Sequence, residues 1–126
     1  MYNEFRQDAD FLTVYIREAH PTDSGRLPIN VKEDVCYPQP HSLADRIAIA
    51  NDFTTRFQYP IPLAIDSMAD AAGQTYGAFP ERLYIIDSNG QIVYKGGPGP
   101  MQYHPEEAQA WLEKHFPETA RSAKKP

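Results

Sequence analysis

Short unbroken apolar runs are the first regularity along the chain. Phe11-Leu12-Thr13-Val14-Tyr15-Ile16, Leu63-Ala64-Ile65, Leu83-Tyr84-Ile85-Ile86 and Ile92-Val93-Tyr94 are compact and rich in β-branched and aromatic residues, which predicts strands. A second pattern has the period of a helix. Leu43, Ile47, Ala50, Phe53 and Phe57 recur at spacings of three and four, Ser42 can cap the start with Asp45 near its third position, Pro60 and Pro62 are expected to stop the helix, and that face is expected to pack on a sheet. Pro105 opens a last helix with Glu106 and Glu107 in its first turn, an apolar face of Ala108, Trp111, Leu112, His115 and Phe116, and Pro117 beyond its end. Tyr2 to Gln7 reads as the end of a helix broken by Asp8-Ala9-Asp10, and Met68 to Tyr76 as a weak helix. Glu18 to Gly25 is a polar turn. Arg26 to His41, with Pro28, Pro38 and Pro40, is expected to be one long, mobile, irregular loop. Asn89-Gly90 between the last two strands supplies the positive-φ residues of a tight primed turn, so these strands are expected to form a hairpin.

The resulting order of strand, helix, strand, short helix, hairpin and helix belongs to the α/β class, with helices covering a sheet. A length of 126 residues suits one domain, expected over residues 1–117, followed by a polar tail at 118–126 that is expected to be disordered. The formal net charge of -5 argues against nucleic acid as a partner, because neutralising phosphates needs a basic face and the main basic cluster is the tail's Arg121, Lys124 and Lys125. No apolar run approaches the roughly 20 residues that span a bilayer, so no membrane partner is expected. The single cysteine, Cys36, can form neither an internal disulfide nor a CxxC pair, which points to a reducing, cytoplasmic setting.

Candidate chemistry concentrates at the hairpin's entrance. Glu81 and Arg82 follow Pro80 and precede an apolar strand, where packing rather than charge normally chooses the residues. No Cys, His or Asp spacing resembles a metal site, and Gly96-Gly97-Pro98-Gly99-Pro100 lacks the lysine and hydroxyl residue of a phosphate loop. The Gly-rich segment is expected to shape the rim of a pocket.

Four segments occur in one order: Tyr15-Ile16-Arg17-Glu18-Ala19-His20-Pro21-Thr22-Asp23, Ser42-Leu43-Ala44-Asp45-Arg46, Asp66-Ser67-Met68, and Tyr76 through Pro100. With them the chain resembles the iodothyronine deiodinase family, in its bacterial, unanchored branch, from about Phe5 to Phe116. The Glu-Ala-His-Pro turn and the Glu-Arg-Leu-Tyr strand with its Gly-Gly-x-Gly-Pro exit are the most specific parts. The resemblance implies a thioredoxin-like fold with a peroxiredoxin-like elaboration, and reductive removal of iodine from an aromatic ring at the expense of a thiol co-substrate, with no bound cofactor. It also implies that the family's selenocysteine or cysteine nucleophile and the strand before it lie upstream of Met1. The fold is then expected to be incomplete at its N-terminus, with two ladder edges unpaired, poor autonomous stability, and no activity as this chain.

By the same resemblance Glu81 matches the family's catalytic glutamate, beside the turn that carries the cis-proline of thioredoxin folds. A carboxylic acid there could pass a proton to the carbon that loses its halogen if burial kept it protonated; the other reading is an ion pair with Arg82. His20 matches the family histidine that serves phenol recognition or proton transfer, or else orders its turn through a hydrogen bond. Arg82, Glu18 and Arg26 are the remaining candidates for substrate contact, with Glu18 either orienting His20 or facing solvent. Cys36 either resolves a mixed selenenyl or thiol intermediate or is an unreactive, partly buried thiol. His41 either contacts the site from the helix start or flanks the cap. Two positions depart from the family pattern. Pro98 stands where relatives use an arginine to pair with the substrate's carboxylate, and Gly25-Arg26 replaces Gly-Trp. Two other functions fit the same residues: a peroxiredoxin-like or thiol–disulfide oxidoreductase, and a non-catalytic interaction module that takes up a partner strand or forms a homodimer through its open edge.

Overall fold

A computed structural model describes residues 1–25 and 27–118. Arg26 and the tail beyond residue 118, to which a substrate contact and disorder were assigned, lie outside the described residues. The chain is α/β and divides into two compact units, Leu12–Pro80 and a second formed by Met1–Phe11 with the residues from Glu81 onward. Among the described residues no helix is long and apolar enough to cross a membrane.

In the Leu12–Pro80 unit, β1 (Thr13–Tyr15) and β2 (Leu63–Ile65) pair in parallel, with Thr13 opposite Leu63 and Tyr15 opposite Ile65. Parallel strands need a long crossover, and it contains α2 (Pro28–Lys32) and α3 (Leu43–Arg56). α2 lies in the segment expected to be irregular. Pro28 there occupies the first helical turn, where its missing N–H is no loss, so the proline starts a helix. Arg56 fastens the far end of α2 through its Nη2 to the Glu33 carbonyl at 3.0 Å and an ion pair with Asp34 at 3.6 Å.

α3 begins with the expected Ser42 cap, completed into a capping box. Ser42 Oγ accepts the Asp45 N–H at 3.1 Å, and Asp45 Oδ2 accepts the Ser42 N–H at 2.9 Å. The Ser42 side chain first, then the backbone N–H groups of His41 and Ser42, hold the Asp45 carboxyl below its ordinary pKa. The packed face of α3 differs from the predicted one. Leu43, Ile47 and Phe57 are exposed, whereas Ala50 and Arg46 are buried. The helix end also lies ahead of Pro60. Gln58 takes a left-handed conformation at φ 46°, and the N–H groups of Gln58 and Tyr59 return to the carbonyls of Thr55 and Thr54, a Schellman closure. Phe53 then packs against Phe57 and Tyr59 with ring centres 5.2 and 5.0 Å apart. α4 (Ala71–Tyr76) ends the unit.

In the other unit, α1 (Tyr2–Phe5) precedes the hairpin of β3 (Tyr84–Ile86) and β4 (Ile92–Lys95), and α5 (Pro105–His115) follows. The hairpin is antiparallel as expected, with a register shift between Ile85 and Ile86. Its turn is not the two-residue primed form. Gly90 alone of the pair has positive φ, at 80°, and the Asp87 carboxylate accepts the Asn89 and Gln91 N–H groups at 2.9 Å. Asp87 thus supplies by side chain the organisation expected of Asn89, in a three-residue loop that ends in a left-handed glycine and is closed by the Asp87 N–H on the Gln91 carbonyl at 2.9 Å. Phe5, Ala108 and Leu112 are the buried apolar side chains of this unit. His115 lies flat on Trp111 at 3.6 Å. Among the described residues each of the four strands has one hydrogen-bonded neighbour, in two two-stranded sheets.

Candidate functional site

In the Leu12–Pro80 unit the chain leaves β1 through Ile16-Arg17-Glu18-Ala19-His20. Tyr15, at the end of the strand, donates its hydroxyl hydrogen to Glu18 Oε1. Burial above all, then that bond and the Glu18 charge, raises the Tyr15 pKa far above that of a free phenol. The phenol therefore stays a donor at neutral pH and fixes Glu18. Glu18 is half-buried, and its hydrogen-bond partner is Tyr15 rather than His20 or solvent, the two destinations considered from the sequence.

His20 is exposed, and its Nδ1 lies 3.2 Å from the Gly25 carbonyl oxygen. A carbonyl oxygen only accepts, so Nδ1 carries the proton. In the neutral ring Nε2 is then left as the acceptor, free to take a proton or a phenolic hydrogen bond. The turn-ordering bond and a chemical role thus use opposite nitrogens of one ring and are compatible.

The segment after Cys36 borders this turn. Tyr37 accepts the Thr22 N–H at 2.9 Å through its carbonyl, and Gln39 donates its N–H to Asp23 Oδ1 at 3.2 Å. Cys36 itself is exposed rather than partly buried, with Sγ 3.5 Å from the Asn30 carbonyl. Burial therefore does not withhold this thiol from a second sulfur or selenium. His41 donates its backbone N–H to Asp45 Oδ2 at 3.1 Å, which places it with the helix cap.

Beneath the turn lies a charged cluster to which the sequence reading gave no role. Arg46 is 2% exposed and donates to the carbonyls of Asp66 and Ser67 at 3.0 and 2.7 Å and to Asp70 Oδ1 at 3.2 Å. Asp66, also buried, accepts the N–H groups of Ser67, Ala72 and Gly73 at 2.8, 3.0 and 2.9 Å. Ala72 and Gly73 lie in the first turn of α4, where N–H groups have no partner in the helix, and the formal cap, Asp70, makes no capping bond. Asp66 serves in its place. Burial alone would raise the Asp66 pKa, but the three N–H donors and the Arg46 charge outweigh it and hold the group ionised. Asp70 also meets Arg17 at 3.9 Å, and the Arg17 guanidinium lies 4.2 Å above the Phe79 ring. One chain of contacts therefore links the turn that bears His20 to the Phe79–Pro80 step, whose peptide bond is cis. A signal for Arg46 was present in the sequence, since positions 46, 50, 53 and 57 continue the helical spacing and put an arginine on the packed face.

In the other unit, Glu81 is exposed and its carbonyl accepts the Gly99 N–H at 3.0 Å, while Gly96 donates to the Leu83 carbonyl at 2.8 Å. These two bonds lay the Gly-rich segment along the hairpin's entrance. Arg82 is half-buried, with Nη1 3.5 Å from the Tyr84 hydroxyl. At the segment's far side Tyr94 donates toward Glu107 Oε2 at 3.1 Å and the His104 carbonyl at 3.3 Å; burial first, then Glu107, raises its pKa. Among the described residues no group of three or more His, Cys, Asp or Glu is placed to hold a metal ion. His20 in the Leu12–Pro80 unit and Glu81 in the other are both exposed.

Comparison with known proteins gives one consistent result. The profile of the family described as iodothyronine deiodinase matches residues 1–116. Thyroxine 5-deiodinases of Homo sapiens and Rattus norvegicus are 38% identical over 118 residues, covering 91% of this chain and 36% of theirs. Type I iodothyronine deiodinase of Xenopus laevis is 40% identical over 114 residues, covering 90% of this chain and 43% of its own length. The chain therefore spans less than half the length of these relatives.

Proposed function

Because this chain belongs to the iodothyronine deiodinase family, we propose that it forms the acid-bearing part of a thiol-dependent reductive dehalogenase acting on an iodinated aromatic compound. The observation that carries the reading is that one family match spans residues 1–116, and so takes in both the turn bearing His20 and the hairpin entrance bearing Glu81. The parallel β1–α3–β2 unit, and the antiparallel hairpin followed by α5, support a thioredoxin-like arrangement.

In the proposed reaction a selenol or thiol from a segment outside these 126 residues takes the iodine. The carbon–iodine bond breaks, and the ring carbon receives a proton from the carboxyl of Glu81. Two molecules of thiol then reduce the chalcogen–iodine bond, giving a disulfide, iodide and the regenerated nucleophile. His20 accepts a hydrogen bond from the substrate phenol through Nε2, and Arg82 borders the substrate. Glu81 is exposed in this chain. Its acid role therefore calls for covering by substrate and by the nucleophile's segment, which would disfavour the carboxylate.

The test joins the chain to the nucleophile-bearing segment of a longer deiodinase relative and measures iodide release from an iodinated phenol with dithiothreitol, beside consumption of hydrogen peroxide. Iodide release supports the reading. Peroxide consumption without iodide release would assign the site to peroxidase chemistry.

A further inference from the structure

Gly99 has no conformational need to be glycine. Among the described residues the glycines with positive φ are Gly77 and Gly90, so the backbone at 99 is one an ordinary L-residue adopts. What the position lacks is room. A Cβ built on Gly99 would overlap Oε1 and Cδ of Glu81 and lie 2.7 Å from its Cγ. The neighbouring Gly97 differs in kind, because a Cβ there would strike Cβ and the backbone oxygen of Gln102, the latter at 2.8 Å, and the clash would fall on the loop's own backbone. At 99 the group in the way is the functional end of one exposed side chain, and that end can swing aside.

We propose that Gly99 is a positioning residue for Glu81: its missing side chain lets the carboxyl lie against the Gly-rich segment, at a place set by the bond from Gly99 N–H to the Glu81 carbonyl at 3.0 Å. An exposed glutamate is otherwise free to sample several rotamers, and a proton donor acts only within about 3 Å of its target, so confinement of this carboxyl has chemical value. The importance of that confinement rests on the reading of Glu81 as the acid; the contact itself does not. Alanine at 99 is expected to cost little stability and to move the carboxyl.

The experiment is NMR on the full 126-residue chain and on Gly99→Ala. Three-bond couplings across χ1 of Glu81 report its rotamer, and nuclear Overhauser contacts report the proximity of its γ-protons to residue 99. The expected result is one dominant rotamer with γ-to-α contacts in the parent chain, and loss of both in the variant. Unchanged χ1 populations in the two proteins, or no contact in the parent, would overturn the proposal. Should Gly99→Ala not fold, the double variant Glu81→Ala with Gly99→Ala decides: folding restored by removing the carboxyl supports positioning, and continued failure overturns it in favour of a backbone requirement. The acid reading is decided separately, by turnover of Glu81→Gln.

Discussion

Replacing Asp66 with alanine is expected to release α4 from the Leu12–Pro80 unit. Asp66 accepts three backbone N–H groups at 2.8 to 3.0 Å, two of them in the first turn of α4. Loss of a cap costs about 1 kcal/mol, and stranding a poorly hydrated N–H costs a further 1–3 kcal/mol or so, for a sum of roughly 2–4 kcal/mol. For a chain of this size that lowers the melting temperature by roughly 10 °C. The Asp66 pKa is depressed in the folded state, so its contribution is fully present above the unfolded value of about 3.9 and is lost as pH falls through the folded value. Thermal melts followed by circular dichroism from pH 7 to pH 2.5 test both points. The gap between parent and Asp66→Ala should be wide at pH 7 and narrow in acid, and amide exchange at Gly73 should accelerate at neutral pH. A melting temperature within about 2 °C of the parent at pH 7, or a gap unchanged in acid, would refute the reasoning.

Further outcomes follow from the same geometry. Gln58→Gly should stabilise the chain by about 0.5–1 kcal/mol, since a left-handed residue closing α3 has no use for its Cβ; urea denaturation measures it. Ser42→Ala should cost about 1 kcal/mol by opening the capping box, and should speed amide exchange at Asp45. Tyr15→Phe should cost about 1 kcal/mol at pH 8, the low end for a bond to a carboxylate because Tyr15 is half-buried. The raised folded pKa makes that contribution complete below the unfolded value of about 10 and lost progressively as pH rises from there toward the folded value, so the gap between the two proteins in urea melts should begin to narrow above pH 10.

Apolar patterning made most elements legible. The runs at Thr13–Tyr15 and Leu63–Ile65, the capped α3, the hairpin and α5 all stand where their residues indicated. The misses share a cause, because polar side chains did work assigned to backbone-shaping residues. Asp87 organises the turn expected of Asn89-Gly90, Gln58 closes α3 before Pro60, and Pro28 opens a helix in a segment whose prolines argue against one. The site was legible as residues and not as relations. Glu18 and His20 were noticed, but their partners, Tyr15 and the Gly25 carbonyl, depend on how the chain turns after β1. The roles of Arg46 and Asp66 are not legible from the sequence, because a charge is expected at the surface unless its partners are known, and theirs are largely backbone atoms about 20 residues away or more, or in the next helix.

In the proposed reaction Glu81 delivers the proton that replaces iodine. The most direct test of that step is iodide release by Glu81→Gln in the chain joined to a relative's nucleophile-bearing segment. Glutamine keeps the size and loses the proton, so turnover should fall by roughly 10²- to 10⁴-fold, the range a positioned acid contributes, while KM for the iodinated phenol is retained. Turnover within a fewfold of the parent would contradict the claim and leave Glu81 as part of the hairpin's entrance alone.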